Sequence, residues 1–397
     1  MKKHTLPLQT VRIRNFKAIQ DSGPIKLTPL TVFIGNNGSG KSSVLEAMEF
    51  LQAVALRGLE DATGTWRGFE HIWNKAATHT PRKGDAWAQN PMRLHVKGHS
   101  GKRTFTAHTE ISEPLTEGAT YFKSEHVELL RLFYRERLGD EAATERPDKR
   151  TEQKEAKRVL AKLDPDQSLL GRDGHIPFES WAFLALDPAA MAQPMRRTRY
   201  GTRRGLSKTG QNLAEYLLSF YEADPDGFVA LLETLRLVLP YARELQPRVV
   251  TDVIEKRIFL QLREQAQKAV FDLVSWVLSS GTLRILALLA CLRHPTLAPA
   301  VLFVDEIENG LDPRTIGLLV SEIREAVEAG LTQVIATTHS PYLLDQLSLS
   351  QLVLVERDKT GAPRFTRPGE DAALRKWAKD FAPGSLYAMG TLSNREE

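Results

Sequence analysis

Residues 35–42, GNNGSGKS, constrain this chain more than any other stretch. They fit the phosphate-loop pattern G-x-x-x-x-G-K-[ST] at every fixed position. An apolar β-type run, TVFI, ends just before them at Ile34, and a helical pattern begins at Lys41. Strand, glycine loop and helix in that order form the setting in which the pattern binds phosphate. Gly38 and Gly40 let the backbone curl so that successive N–H groups face phosphate oxygens, and the helix N-terminus adds partial positive charge. The pattern assigns Gly35, Asn36, Asn37, Gly38, Ser39, Gly40, Lys41, Ser42 and Ser43 to a nucleotide. Within that set Lys41 reaches the outer phosphates, where it serves catalysis, and Ser42 can hold Mg²⁺. A glycine-rich turn that matches by chance is the alternative, and the flanking strand and helix weigh against it.

Composition enters mainly by exclusion. At 397 residues, 42% hydrophobic and 26% charged, the chain is an ordinary globular one with length for a large core. Its longest strongly apolar stretch, 285–292, is far too short to span a bilayer, and the opening MKKHTLPLQTVRIRNF lacks the apolar centre of a secretory signal. A cytoplasmic protein without a membrane partner is expected. The single cysteine, Cys291, has no internal disulfide partner and sits in an apolar helical pattern as a small buried hydrophobe. A net charge of +4 is compatible with nucleic acid without specifying it.

Periodicity predicts an edge-type strand over 11–17, a buried strand over 30–34 and a helix over 41–56. Segments 93–97 and 104–111 read as a hairpin closed by 98–101. From 113 to 264 the pattern reads as helical amphipathic pieces with charged connections. Within it, 139–158 reads as a solvated face or loop, its acids and bases being equal in number. The stretch 195–208, MRRTRYGTRRGLSK, differs: Arg196, Arg197, Arg199, Arg203, Arg204 and Lys208 stand there without an acid among them. Such a run can track a nucleic-acid backbone, or can serve as a solvated loop or a partner for acids elsewhere in the chain. Beyond residue 271, buried strands (301–304, 333–337, 351–356) alternate with helices (282–292, 313–329, 341–346), which predicts a parallel sheet covered on both faces. The expected fold is therefore α/β. Its expected parts are an N-terminal lobe 1–112 with the phosphate loop, a mainly helical, lid-like insertion 113–264, a C-terminal lobe 265–360, and a tail 361–397. The tail is expected to dock through Leu374, Trp377, Phe381, Leu386 and Tyr387. No internal repeat and no sustained heptad pattern is present.

Three further segments carry chemistry. In 301–313, VLFVDEIENGLDP, four apolar residues bury a strand and two acids stand at its exit, where the adjacent phosphate-loop strand would also end. Adjacent carboxylates there need compensating charge, which Mg²⁺ and an attacking water explain. Asp305 is assigned to the metal and Glu306 to orienting or deprotonating the water. His339, where the strand 333–337 gives way to TTHSP, can hydrogen-bond a γ-phosphate and Glu306 as a nucleotide-sensing switch. Lastly, LSSGT (278–282) opens an apolar helix with Ser279 and Gly281 at its start, a second anion-binding N-terminus. One nucleotide does not need two such sites, so the second is expected to serve a nucleotide held by another copy of the chain. An ordinary serine N-cap is the simpler alternative.

Phosphate loop, LSSGT, VDEIENGLDP and TTHSP, in that order, resemble an ABC-type ATPase head of the RecF/SMC-like branch. The likeness is closest to predicted bacterial AAA-family ATPases related to RecF, to the OLD proteins and to ATPase subunits of phage-defence systems such as Septu. VRIRNFKAI near the start and LSKTGQNLAEYL (206–217) share it. The resemblance implies an ABC-type P-loop NTPase head that mixes antiparallel and parallel sheets, with ATP and Mg²⁺ as cofactors. It makes Ser279 and Gly281 the signature that contacts the partner's γ-phosphate, Asp312 the acid linking the two sites, and His339 the switch. LSSGT departs from the transporter-type LSGGQ at its third and fifth positions, and no Q-loop glutamine can be placed.

The interval from Ser42 to Ser279 carries no heptads, which disfavours a long-armed DNA tether, while it is longer than a transporter ATPase would show. Too little chain follows His339 for an OLD-type Toprim nuclease domain. The expected function is an ATPase that forms a homodimer, or a higher even oligomer, around ATP. It would sense nucleic acid and control a separately encoded effector, such as a Toprim or HNH nuclease, in anti-phage defence. A RecF-like repair clamp and a regulatory scaffold that binds only protein are the alternatives.

Overall fold

The computed structural model describes residues 6–76, 90–101, 103–113, 119–128, 132–138, 141–143, 166–171, 176–196, 205–251 and 255–392. The chain divides into two compact units. One comprises Met1–Thr28, Phe33–Glu179 and Val353–Arg367, the other Pro29–Val32, Ser180–Leu352 and Pro368–Glu397.

The first unit is built on an antiparallel sheet. Strand β1 (Leu8–Phe16) buries Leu8, Val11, Ile13 and Phe16 and pairs with β2 (Ile19–Asp21) and β3 (Ile25–Lys26). Strand β4 (Leu30–Ile34), buried at all five positions, begins in the second unit and ends in the first. It leads through the phosphate loop into helix α1 (Lys41–Arg57), whose Val44, Leu45, Met48 and Leu51 are buried as their spacing predicts. The expected hairpin is β5 (Met92–Ser100) with β6 (Arg103–Ser112). Strands β7 (Tyr121–Glu128), β8 (Leu132–Leu138) and β9 (Glu141–Ala143) then continue the sheet in the order β2-β1-β5-β6-β7-β8-β9.

A cross-strand row of basic side chains runs over this sheet, Arg12 opposite His95, His95 opposite His108 and His108 opposite His126. Burial, and then the charges of His108, Arg12, His126 and Lys97, hold the His95 imidazole below its ordinary value. A histidine depressed in the folded state contributes stability that is complete above its unfolded value and is lost as pH falls through the folded one. Acidification below pH 6.5 is therefore expected to destabilise the first unit, and His95→Gln to flatten that dependence in thermal midpoints recorded against pH. Glu110 stays ionised through that window. Its burial is outweighed by bonds from His108 and Arg93, which bring it down to about 2.

The second unit opens with β10 (Trp181–Leu184) and the short edge strand β11 (Met195–Arg196). Helices α2 (Leu213–Ala223) and α3 (Pro225–Arg236) follow, then β12 (Ala242–Thr251), β13 (Lys256–Ala266) and β14 (Ala269–Val274), which form a second antiparallel sheet with β11. Helix α4 (Ser280–Arg293) is buried continuously from Leu283 to Leu292 except at Arg284, as befits a helix enclosed on all sides. Cys291 lies within it, its thiol pushed up to about 12 by burial. The parallel part follows: β15 (Val301–Val304), α5 (Pro313–Glu328), β16 (Gln333–Thr338) and the short α6 (Pro341–Asp345). Arg293 of α4 grips buried Glu322 of α5 through two bonds of 2.6 and 2.8 Å. In this unit the strand order is β10-β15-β16 and then the start of β4, where Val334 N–H donates to Pro29 O at 2.9 Å. Strand β17 (Leu352–Arg357) and β18 (Pro363–Thr366) belong to the first unit, β17 lying beside the end of β4. Among the described residues no helix is long and apolar enough to cross a membrane.

Four expectations need correction. The span 113–264 is not mainly helical: it carries β7 to β12 and most of β13 as well as α2 and α3. Strand β13, KRIFLQLREQA, buries Ile258, Leu260 and Leu262 on one face and carries Arg257, Phe259, Gln261 and Arg263 on the other. The units also divide at Glu179/Ser180 rather than at 112 and 264, because β7 to β9 extend the first sheet. Strand β15 is not adjacent to the phosphate-loop strand, since β16 lies between it and the start of β4. In the tail Leu374 and Leu386 are buried but Trp377 and Phe381 are 47% and 46% exposed, their rings tilted against each other with centroids 6.4 Å apart. The described part of run 139–158 is strand β9, and the rest lies outside the described residues.

Candidate nucleotide site

In the first unit the phosphate loop is shaped by its glycines. A Cβ on Gly35 would lie 2.0 Å from Val355 O of β17, so no other residue fits that position. Gly38, at the exposed tip, has φ +72°, a left-handed conformation with open space beyond it. Lys41 is buried, and its Nζ donates to the carbonyls of Gly35 and Asn36 at 2.8 Å each. Ser39 Oγ is buried without a hydrogen-bond partner. No side chain caps the start of α1, whose N-cap is Gly40. A buried unsatisfied hydroxyl, an uncapped helix start and an open glycine tip fit a polyphosphate. Sequence reasoning missed Arg357, whose Nε and Nη2 hold Gly38 O at 2.9 and 2.7 Å. It stands at the end of β17, far along the chain, and no local pattern marks it.

In the second unit the acids stand at the exit of β15. Asp305 N–H donates to Leu184 O of β10 at 2.9 Å, and Asp305 Oδ1 accepts the Thr337 hydroxyl at 2.6 Å. Glu306 is exposed, and its φ of +49° is costly for a non-glycine residue. Its N–H donates to Thr337 Oγ1 at 2.8 Å, and Asn309 Nδ2 reaches its Oε2 at 3.3 Å. His339, half-buried at the end of β16, is tied to the same loop, because its N–H donates to Glu308 Oε1 at 2.7 Å. The other Glu308 oxygen is buried without a partner. Asp305, Glu306 and His339 thus stand on adjacent strand ends joined by Thr337 and Glu308, two residues the sequence reading passed over.

Ser279 is the N-cap of α4: its Oγ accepts Thr282 N–H at 3.0 Å and lies 2.8 Å from Thr282 Oγ1. Gly281 packs so closely on the loop after the acids that a Cβ there would lie 2.7 Å from Gly310 O. Arg284, one turn on, fills the space a Cβ on Gly310 would enter, its Cδ 3.4 Å from that position. Its guanidinium is pulled down by burial and raised in part by the charges of Asp187 and Glu306. Asp312 caps α5, accepting from Arg314 N–H at 3.0 Å, Thr315 N–H at 3.2 Å and the Thr315 hydroxyl. The Thr315 hydroxyl bond leads in holding its carboxyl below the usual range. Two of the three residues assigned to cross-subunit contact, Ser279 and Asp312, therefore already serve as helix caps within the chain.

Of the basic run, Arg196 lies on β11 and is paired with Glu255, and Lys208 is exposed. Arg197, Arg199, Arg203 and Arg204 lie outside the described residues.

A family model described as "AAA domain, putative AbiEii toxin, Type IV TA system" matches residues 123–345, more than half of the chain. The chain belongs to this AAA-domain family. A second model, "AAA ATPase domain", matches residues 7–80 and so spans the phosphate loop. No curated protein matches the sequence. Among solved structures, an SMC head bound to the C-winged helix domain of ScpA is similar at TM-score 0.50 and 13% identity, over 90% of this chain and 97% of that one. The Smc head with an extended coiled coil, bound to the C-terminal domain of ScpA and derived from Pyrococcus furiosus, gives 0.50 and 13% over 94% and 99%. At that identity the likeness shows the fold, an ATPase head of SMC type, in agreement with the order of the motifs.

Proposed function

We propose that this AAA-family chain binds and hydrolyses ATP, that two copies close around shared nucleotides, and that nucleotide state governs nucleic-acid engagement and a separate effector. The observation that carries the ATPase reading is the phosphate loop, with its buried, unpartnered Ser39 hydroxyl and uncapped helix start. Residues 35–43 cradle the phosphates, with Lys41 on the outer ones. Ser42 and Asp305 are the residues that would hold Mg²⁺, which supplies charge stabilisation to the transferring phosphoryl group. Glu306 orients and deprotonates the water, and His339 reports the γ-phosphate to the acidic loop through Glu308. Ser279, Gly281 and Asp312 meet the nucleotide of the second copy. In this reading γ-phosphate binding draws the copies together and hydrolysis releases them.

The matched family's description names a toxin of type IV toxin–antitoxin systems, which favours a place in bacterial conflict, here anti-phage defence, over repair. The SMC heads of like fold are each bound to ScpA, which supports a separate partner chain. The pairing of Arg196 with Glu255 favours a second reading, a nucleotide-dependent scaffold that binds only protein. Phosphate release by the purified chain with Mg²⁺ tests the first claim, and absence of release would overturn it. Reversing charge at Arg196, Arg197, Arg203 and Arg204 is expected to weaken DNA binding and to flatten its logarithmic salt slope by about 0.9 for each DNA phosphate no longer neutralised. Binding unchanged by that substitution would favour the scaffold.

A further inference from the structure

The geometry points to Thr337 as the residue that positions both acids of the proposed hydrolytic site, an inference that rests on the ATPase reading above. Thr337 is fully buried near the end of β16, a strand whose other buried positions include the apolar Val334, Ile335 and Ala336. A buried hydroxyl is unfavourable unless bonded, so its presence calls for a specific role. Here it bonds twice to functional groups. Its Oγ1 accepts the N–H of Glu306 at 2.8 Å and donates to Oδ1 of Asp305 at 2.6 Å, while its carbonyl accepts the N–H of Ile307 at 3.1 Å.

The direction of these bonds follows from valence. A backbone N–H only donates, so Thr337 Oγ1 accepts from Glu306 and its single hydroxyl proton is free to go to Oδ1 of Asp305, an oxygen of the carboxylate proposed to hold the cation. The same hydroxyl pins the amide of Glu306, whose backbone is held at φ +49°. One atom thus fixes the orientation of the metal-binding carboxylate and the unusual turn that presents the neighbouring carboxylate. Strand β16 lies directly beside β15, which is why a residue on it can brace both acids.

The test compares Thr337→Val, which keeps shape and loses the hydroxyl, with Thr337→Ser, which keeps the hydroxyl. The readouts are kcat and KM for ATP, the Mg²⁺ midpoint for equilibrium binding of a fluorescent ATP analogue, and the thermal midpoint. For Thr337→Val a rise of about tenfold or more in the Mg²⁺ midpoint and a loss of about tenfold or more in kcat are expected, with KM within about threefold. Thr337→Ser is expected to restore both to within about threefold. Should the valine variant fail to fold, Thr337→Ala carries the same expectations. A hydroxyl-free variant that keeps the wild-type Mg²⁺ midpoint and kcat overturns the inference alone, as does a serine variant as impaired as valine. Wild type that releases no phosphate overturns the ATPase reading and this inference with it.

Discussion

Glu306→Gln is expected to cut phosphate release by about 10²- to 10⁴-fold, the range lost with a general base, while ATP still binds. The substitution changes one carboxylate oxygen to an amide and leaves the backbone anchor to Thr337 Oγ1 and the left-handed turn in place. Its effect therefore falls on the water rather than on the fold. Because hydrolysis is the step proposed to separate two copies, slowing it should let the nucleotide-bound pair accumulate. Light scattering in ATP and Mg²⁺ is expected to show the mass of a dimer for this variant and a smaller average mass for wild type. A monomer that retains bound ATP would rule out the shared-nucleotide cycle while leaving the phosphate loop intact.

Lys41→Met is expected to weaken ATP binding by about 100-fold or more, since charge-assisted bonds are worth roughly 1.5–3 kcal/mol each and Lys41 supplies more than one. Methionine fills a similar volume, so the buried stem still packs against the core. The loop carbonyls of Gly35 and Asn36 lose their common donor, and the loop should become less ordered without nucleotide. Titration of a fluorescent ATP analogue checks the first effect, and amide exchange over 35–40 the second. Wild-type affinity in this variant would place the nucleotide elsewhere.

The ATPase elements were legible in the sequence because their burial is nearly complete and their punctuation strong. The run VLFV is buried at all four positions of β15, and glycine and proline mark the loops before α1 and α5. Strand β12 was read as a helical piece because its buried residues, Ala242 and Leu245, stand three apart across a register shift, whereas the alternation of Ile258, Leu260 and Leu262 in β13 was a strand signal the reading passed over. At the site the motif residues could be named, but their bracing could not. Thr337 and Glu308 act through neighbours that strand order brings together, and Arg357 reaches the phosphate loop from the opposite end of the chain. The helix-capping role of Ser279 was the simpler alternative, and the structure places it there; that of Asp312, at the start of α5, was not anticipated.

The fit of Gly281 against the Gly310 carbonyl bears on how signature variants are interpreted. Any side chain at 281 would push on the loop that begins with Asp305 and Glu306, so such a variant would injure its own subunit's chemistry before a neighbour was involved. Loss of activity on substituting that glycine would then say nothing about intersubunit contact. Mixed assemblies, one copy altered at Ser279 and the other at Lys41, would separate the two effects.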